Sequence, residues 1–178
     1  MQESNSENFN HLKIHSQFSI CEGSIKIDDL KDISKHKKLK ALGLCYTSNL
    51  CGALEFAEKL SKSGSQPIIG TQINFKLNDT TGLLPLFALN EDVYKTIIKL
   101  SSLSFLKNDE LSDPHLDLNE LLNNNEGVAI FSGTINGLFG QLFNKGKFSE
   151  ISEIFSKLKA NYGDRFYICL LYTSDAAD

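Results

Sequence analysis

From residue 11 onward the chain alternates short apolar runs with stretches whose apolar residues recur every three or four positions. Period two puts Leu12 and Ile14 on one side of a strand over 11–15, with Lys13 and His15 on the other. A helix over 27–37 follows from Ile27, Leu30 and Ile33, capped by Ser24 or Asp28, with Asp28 and Asp29 at its positive end. Residues 39–45 are a strand buried on both sides. The spacing of Leu50, Ala53, Leu54, Ala57 and Leu60 predicts an amphipathic helix over 49–63 that Gly64 ends. A third strand is predicted over 67–75, a turn over 78–82, and a fourth strand over 83–89, where Pro85 marks an edge or a bulge. Beyond it come a helix over 91–105 with Val93, Ile97, Ile98 and Leu100 toward the core, a loop over 107–114 and a short helix over 116–122. A fifth strand (128–131), helices over 138–144 and 148–161, and the start of a sixth strand (166–168) complete the pattern. Continuous apolar strands alternating with helices predict a mostly parallel α/β domain, without separating a barrel from an open sheet.

Composition narrows the class. At 178 residues the chain has length for one domain with a real core, and 41% hydrophobic against 22% charged residues is ordinary for a globular protein. A net charge of -4 excludes a broad basic surface for gripping duplex DNA. Lys35, Lys37, Lys38 and Lys40 cluster at one helix end, where the helix dipole explains them. Cys21, Cys45, Cys51 and Cys169 lack zinc-binding spacing and read as reduced thiols of a cytoplasmic protein. The polar first ten residues read as disordered and carry no targeting pattern. The longest apolar run, 166–172, is too short to span a bilayer.

The stretch from His11 through Gly23 and on to Ile27, which reads H-L-K-I-H-S-Q-F-S-I-C-E-G-S-I-K-I, resembles the start of the PHP (polymerase and histidinol phosphatase) domain. More narrowly it is similar to the amino terminus of bacterial DNA polymerase III alpha subunits. Asn49-Leu50-Cys51-Gly52-Ala53-Leu54-Glu55-Phe56 and Gln66-Pro67-Ile68-Ile69-Gly70 resemble two later blocks of that family, in the family's order. The resemblance implies a distorted β/α barrel over 11–168, incomplete at its C-terminus. The ending from Cys169 to Asp178 departs from the family pattern and resembles translated sequencing-adapter read-through, so 169–178 is expected to be a non-native tail.

An active PHP site gathers His, Asp and Glu at strand ends around two or three divalent metals, which generate a hydroxide and clamp a phosphate. By resemblance, the opening H-x-H falls on Lys13 and His15, and the acid of the following turn on Glu22. The next Asp and His fall on Tyr46 and Thr47, a Glu on Gln72, a further His near Leu83, and a Cys or His on Thr134. At most two of these positions keep a ligand type, so neither a metal nor a catalytic residue is assigned to them. Lys13 is a candidate internal cation paired with Glu22 in place of a metal. Each residue also has a plainer role. His15 reads as a hydrogen-bonded strand-end histidine, and Glu22 as an acceptor for backbone N–H groups. His11 and His36 read as surface or turn residues, and His115 beside Pro114 has no assignable partner. No phosphate-binding glycine loop or nucleophile elbow is present.

The resemblance implies a fragment of a DNA-directed DNA polymerase, a nucleotidyltransferase of DNA replication. Its Mg-dependent palm lies outside this chain, so this fragment alone is expected to be inactive and to bind no cofactor. Implied partners are the remainder of the alpha chain, the 3′–5′ proofreading exonuclease subunit, and DNA through other domains, with no membrane. The alternative is an active metal-dependent PHP phosphoesterase or proofreading nuclease, which the small number of surviving ligands argues against.

Overall fold

The computed structural model describes residues 9–109 and 112–170. Helices α1 (Ile27–His36), α2 (Ala53–Lys62), α3 (Glu91–Leu106), α4 (Leu118–Asn123), α5 (Leu138–Asn144) and α6 (Phe148–Tyr162) alternate with strands. The strands are β1 (Ala41–Thr47), β2 (Gln66–Leu77), β3 (Thr80–Ala88), β4 (Leu116–Asp117), β5 (Val128–Phe131) and β6 (Phe166–Tyr167). The fold is mixed α/β. Among the described residues the strand order is β1-β2-β3-β5-β6, with β4 on β2. The chain divides into two compact units, Met1–Gln72 and Ile73–Asp178.

In the first unit β1 pairs in parallel with the first half of β2, from Ala41 opposite Gln66 to Thr47 opposite Gln72. The core joins Ile27 and Leu30 of α1, Leu42, Leu44 and Tyr46 of β1, and Phe56 and Leu60 of α2. The expected strand over 11–15 is reduced to a parallel bridge between Ile14 and Leu44. Two hydrogen bonds hold it, Gly43 N–H to His11 O (2.7 Å) and Cys45 N–H to Ile14 O (3.1 Å), before the chain turns at Ser16.

Helix α1 begins as expected, but its N-cap is Lys26, not Ser24 or Asp28. The Asp29 carboxylate accepts the Lys26 N–H at 3.3 Å. Ser34 is buried on α1 where Ile33 was expected, and Ile33 is exposed. Helix α2 starts four residues later than expected because Ala53 N–H bonds to Leu50 O in a preceding turn. Its inner face is therefore Ala53, Phe56 and Leu60, while Leu54 is 73% exposed.

In the second unit Asn78 and Asp79 turn β2 into β3, a connection that joins antiparallel strands. β3 is also antiparallel to β5, while β4 pairs with β2 and β6 with β5 in parallel. The sheet is thus mixed where a mostly parallel one was expected. β3 has neighbours on both sides, so Pro85 is not on an edge strand. It precedes the Leu86–Ala88 register with β5, next to the bridge from Leu83 to Gly137. The short helix expected over 116–122 splits into β4 and α4, because the Asp117 carboxylate accepts Asn119 N–H at 2.8 Å and caps α4. Ile98 is 41% exposed, whereas Val93, Ile97 and Leu100 are buried as the pattern required. Leu86, Ile97, Ile130, Leu142 and Leu158 are fully buried.

Candidate functional site: a strand-end polar cluster

The end of β1 sets the cluster. Successive side chains of a strand face opposite ways, so Tyr46 turns into the core, 1% exposed, while Thr47 reaches its half-exposed rim. The parallel register places Gln72 directly beside Thr47. Residues 16–23 fold into a tight turn through Ser19 N–H to Ser16 O (2.8 Å) and Glu22 N–H to Ser19 O (3.1 Å). That turn carries Glu22 back over the strand ends.

The side chains form one connected path. Gln72 Nε2 donates to Thr47 Oγ1 at 2.7 Å, and Thr47 Oγ1 donates to Glu22 Oε1 at 2.7 Å. The other carboxylate oxygen, Oε2, lies 3.1 Å from His15 Nδ1. Ser19 Oγ is also 3.1 Å from that nitrogen. Both partners share one ring nitrogen, so the imidazole does not relay Ser19 to Glu22 as a nucleophile–base–acid chain requires. Beneath, the buried Tyr46 hydroxyl bonds Ser16 Oγ, and Thr71 Oγ1 donates to Tyr46 O at 2.9 Å. Burial raises the Tyr46 phenol above its ordinary value, partly offset by the Ser16 bond. Burial also pushes the Cys45 thiol up to about 12, with Lys13 opposing and Glu22 reinforcing. Cys45 is therefore an inert core thiol. A cleft of about 440 Å³ borders the cluster, lined by Phe18, Ser19, Glu22, Thr47, Asn49 and Cys51 among others.

Six of the eight expected positions lie in this unit, and His15, Glu22, Thr47 and Gln72 are brought into direct contact. Tyr46 joins through Ser16. Lys13 is exposed, and among the described residues it forms no ion pair; the partner of Glu22 is His15. The expected Lys13–Glu22 pairing is corrected accordingly, since the turn at 16–23 folds over His15. Leu83 and Thr134 belong to the second unit, where Leu83 bridges Gly137 and Thr134 O accepts the Gly137 N–H at 2.8 Å. Ser16 and Ser19 complete the cluster, though neither is a position the family motif assigns. Their only signal was two hydroxyls three apart in the turn.

The donor set does not fit a centre of two or three metals. Within the first unit it offers one imidazole and one carboxylate already facing each other, with a carboxamide, a hydroxyl, a phenol and an ammonium at the other expected positions. Among the described residues every buried side-chain nitrogen or oxygen has a hydrogen-bond partner, and no three His, Cys, Asp or Glu are grouped to hold a metal. No described helix is long and apolar enough to cross a membrane.

Mixed α/β architecture with polar groups gathered at parallel strand ends is a common site-building plan of α/β proteins. The chain belongs to the PHP domain family, whose model matches residues 11–170. It is 32% identical over 181 residues to the DNA polymerase III subunit alpha of Caulobacter vibrioides, covering 94% of this chain and 15% of that protein. It is 35% identical over 161 residues to that of Rickettsia felis, covering 89% and 13%. The protein of the same name from Borreliella burgdorferi is 31% identical over 171 residues, covering 90% and 15%. The chain therefore spans 13–15% of the length of these relatives.

Proposed function

We propose that this chain is the amino-terminal PHP portion of a bacterial DNA polymerase III alpha subunit, with a structural rather than a hydrolytic role. The relatives named above support the assignment, each aligned over about nine-tenths of this chain. The single observation behind the structural role is the hydrogen-bonded path Gln72–Thr47–Glu22, which links three of the expected ligand positions and brings the Glu22 carboxylate to 3.1 Å from the His15 ring nitrogen. A site held together this way supplies rigidity to the strand ends without a metal's charge. On this reading the whole protein is a cytoplasmic DNA-directed DNA polymerase with Mg in its palm, and the PHP portion is part of a distorted β/α barrel. It would pack against the remainder of the alpha chain and help dock the proofreading exonuclease. Residues from Cys169 onward are read as non-native; of these, 171–178 lie outside the described residues, and Leu170 is 78% exposed.

Re-reading the coding DNA past the codon for Ile168 tests the assignment. The expected result is a frame that continues into a long chain with an acidic polymerase cluster. A stop after Asp178 in the native gene would overturn it.

The second reading, a metal-dependent phosphoesterase, draws on one observation. His15 and Glu22 keep ligand chemistry and stand 3.1 Å apart, and Glu22 lines a cleft. It requires metal-dependent hydrolysis that is lost on changing these two residues.

A further inference from the structure

We propose that the cleft between the C-terminal ends of α1 and α2 binds a phosphate group, from a free nucleotide or a single-stranded nucleic-acid backbone. The cleft holds about 270 Å³, and Lys35, Lys38, Lys40, Ser34, Ser63 and Ser65 are among the residues lining it. No carboxylate lines it, and among the described residues none of the three lysines forms an ion pair. Three unpaired cations on one cleft run against a chain whose net charge is -4.

The plainer explanation is that lysines simply balance helix dipoles. Each helix C-terminus carries about half a negative charge. Two of them offset about one of the three ammonium charges, which leaves the cleft decidedly positive. The serine hydroxyls are committed elsewhere: Ser63 Oγ donates to Leu60 O (2.6 Å), and Ser65 Oγ donates to Leu39 O (2.7 Å) while bonding Ser34 Oγ. They give polar walls, and the lysines supply the donors.

The backbone adds an independent argument. Both helices end in the same cap. In α2, Ser65 N–H bonds to Leu60 O and Gly64 N–H to Ser61 O, with Gly64 at φ 86. In α1, Leu39 N–H bonds to Ser34 O and Lys38 N–H to Lys35 O, with Lys38 at φ 51. Glycine is the usual residue at this left-handed position, and α2 uses it. A lysine there carries strain that glycine avoids; Cys21, Ser48 and Asn78 share the left-handed φ, and Lys38 differs from them in lining a cleft with two other lysines. The side chain retained at that cost lines the cleft.

The probes are inorganic phosphate, thymidine 5′-monophosphate and a fluorescent single-stranded oligothymidylate, each titrated against the full chain. Amide shifts at Lys38 and Gly64 report the small anions, and anisotropy reports the oligonucleotide. Three phosphate contacts predict that oligonucleotide affinity falls about 20-fold between 50 and 200 mM salt. Lys38→Gly is expected to melt at a higher temperature yet bind several-fold more weakly, with a shallower salt dependence. Lys35→Ala/Lys40→Ala weakens binding further. Response to the small anions alone assigns the site to free nucleotides or phosphate; response to the oligonucleotide assigns it to nucleic acid. No response to any probe, or wild-type binding by Lys38→Gly, would overturn the proposal. The test is independent of the polymerase assignment, because it reads a site in the first unit directly.

Discussion

Thr47 is the centre of the strand-end path, since its hydroxyl both donates to Glu22 and accepts from Gln72. Thr47→Val keeps the shape and removes both bonds. We expect a loss of about 1–2 kcal/mol, read as a lower urea midpoint at unchanged slope. Lys13→Ala should leave the midpoint nearly unchanged, because Lys13 is exposed. At this scale the family motif located His15, Glu22, Thr47 and Gln72, but not the bonds among them. Those depend on the parallel register that sets Thr47 beside Gln72 and on the fold of residues 16–23, neither of which is written in local spacing. Lys13 was misjudged as a partner of Glu22 for the same reason: alternation put it on the side of His15, and only the turn decides which of the two is covered.

Elements depend on close backbone approach as well as on pattern. A Cβ on Gly43 would stand 2.4 Å from Leu12 O and 2.5 Å from Leu12 Cα, both backbone atoms that cannot step aside alone. Gly43→Ala must therefore push the N-terminal segment off β1 and weaken the Gly43–His11 and Cys45–Ile14 bonds. The expected cost is about 1–3 kcal/mol, with faster hydrogen exchange at the Cys45 amide as its local signature. Helices α1, α3, α5 and α6 and strand β5 were legible because their apolar spacing and flanking turns agree. The start of α2 was not, because Leu50 continues the apolar spacing of the helix while residues 49–52 form a turn. β4 was hidden because its two residues pair with β2 through Phe75 and Leu116, 41 positions apart in sequence.

For the whole molecule, alternation of strands and helices was enough to give the α/β class, and three ordered motifs gave the family. Strand direction was harder to read, since the antiparallel course of β3 is fixed by the turn at Asn78 and Asp79. Barrel closure was not readable, because it is a property of long-range pairing rather than of any segment. The central claim is the proposed structural role, in which hydrogen bonds among Gln72, Thr47 and Glu22 occupy strand-end positions that the family resemblance assigns to metal ligands. Its most direct test is calorimetric titration of Mn²⁺ and Zn²⁺ into the full chain, alongside a variant carrying Lys13→His, Tyr46→Asp, Thr47→His and Gln72→Glu. Hydrolysis of p-nitrophenyl phosphate is followed in parallel. We expect no saturable heat and no metal-dependent turnover from the unmodified chain, and metal binding by the four-fold variant. Tight binding by the unmodified chain, with turnover abolished by changing His15 and Glu22, would contradict the account and establish the phosphoesterase reading instead.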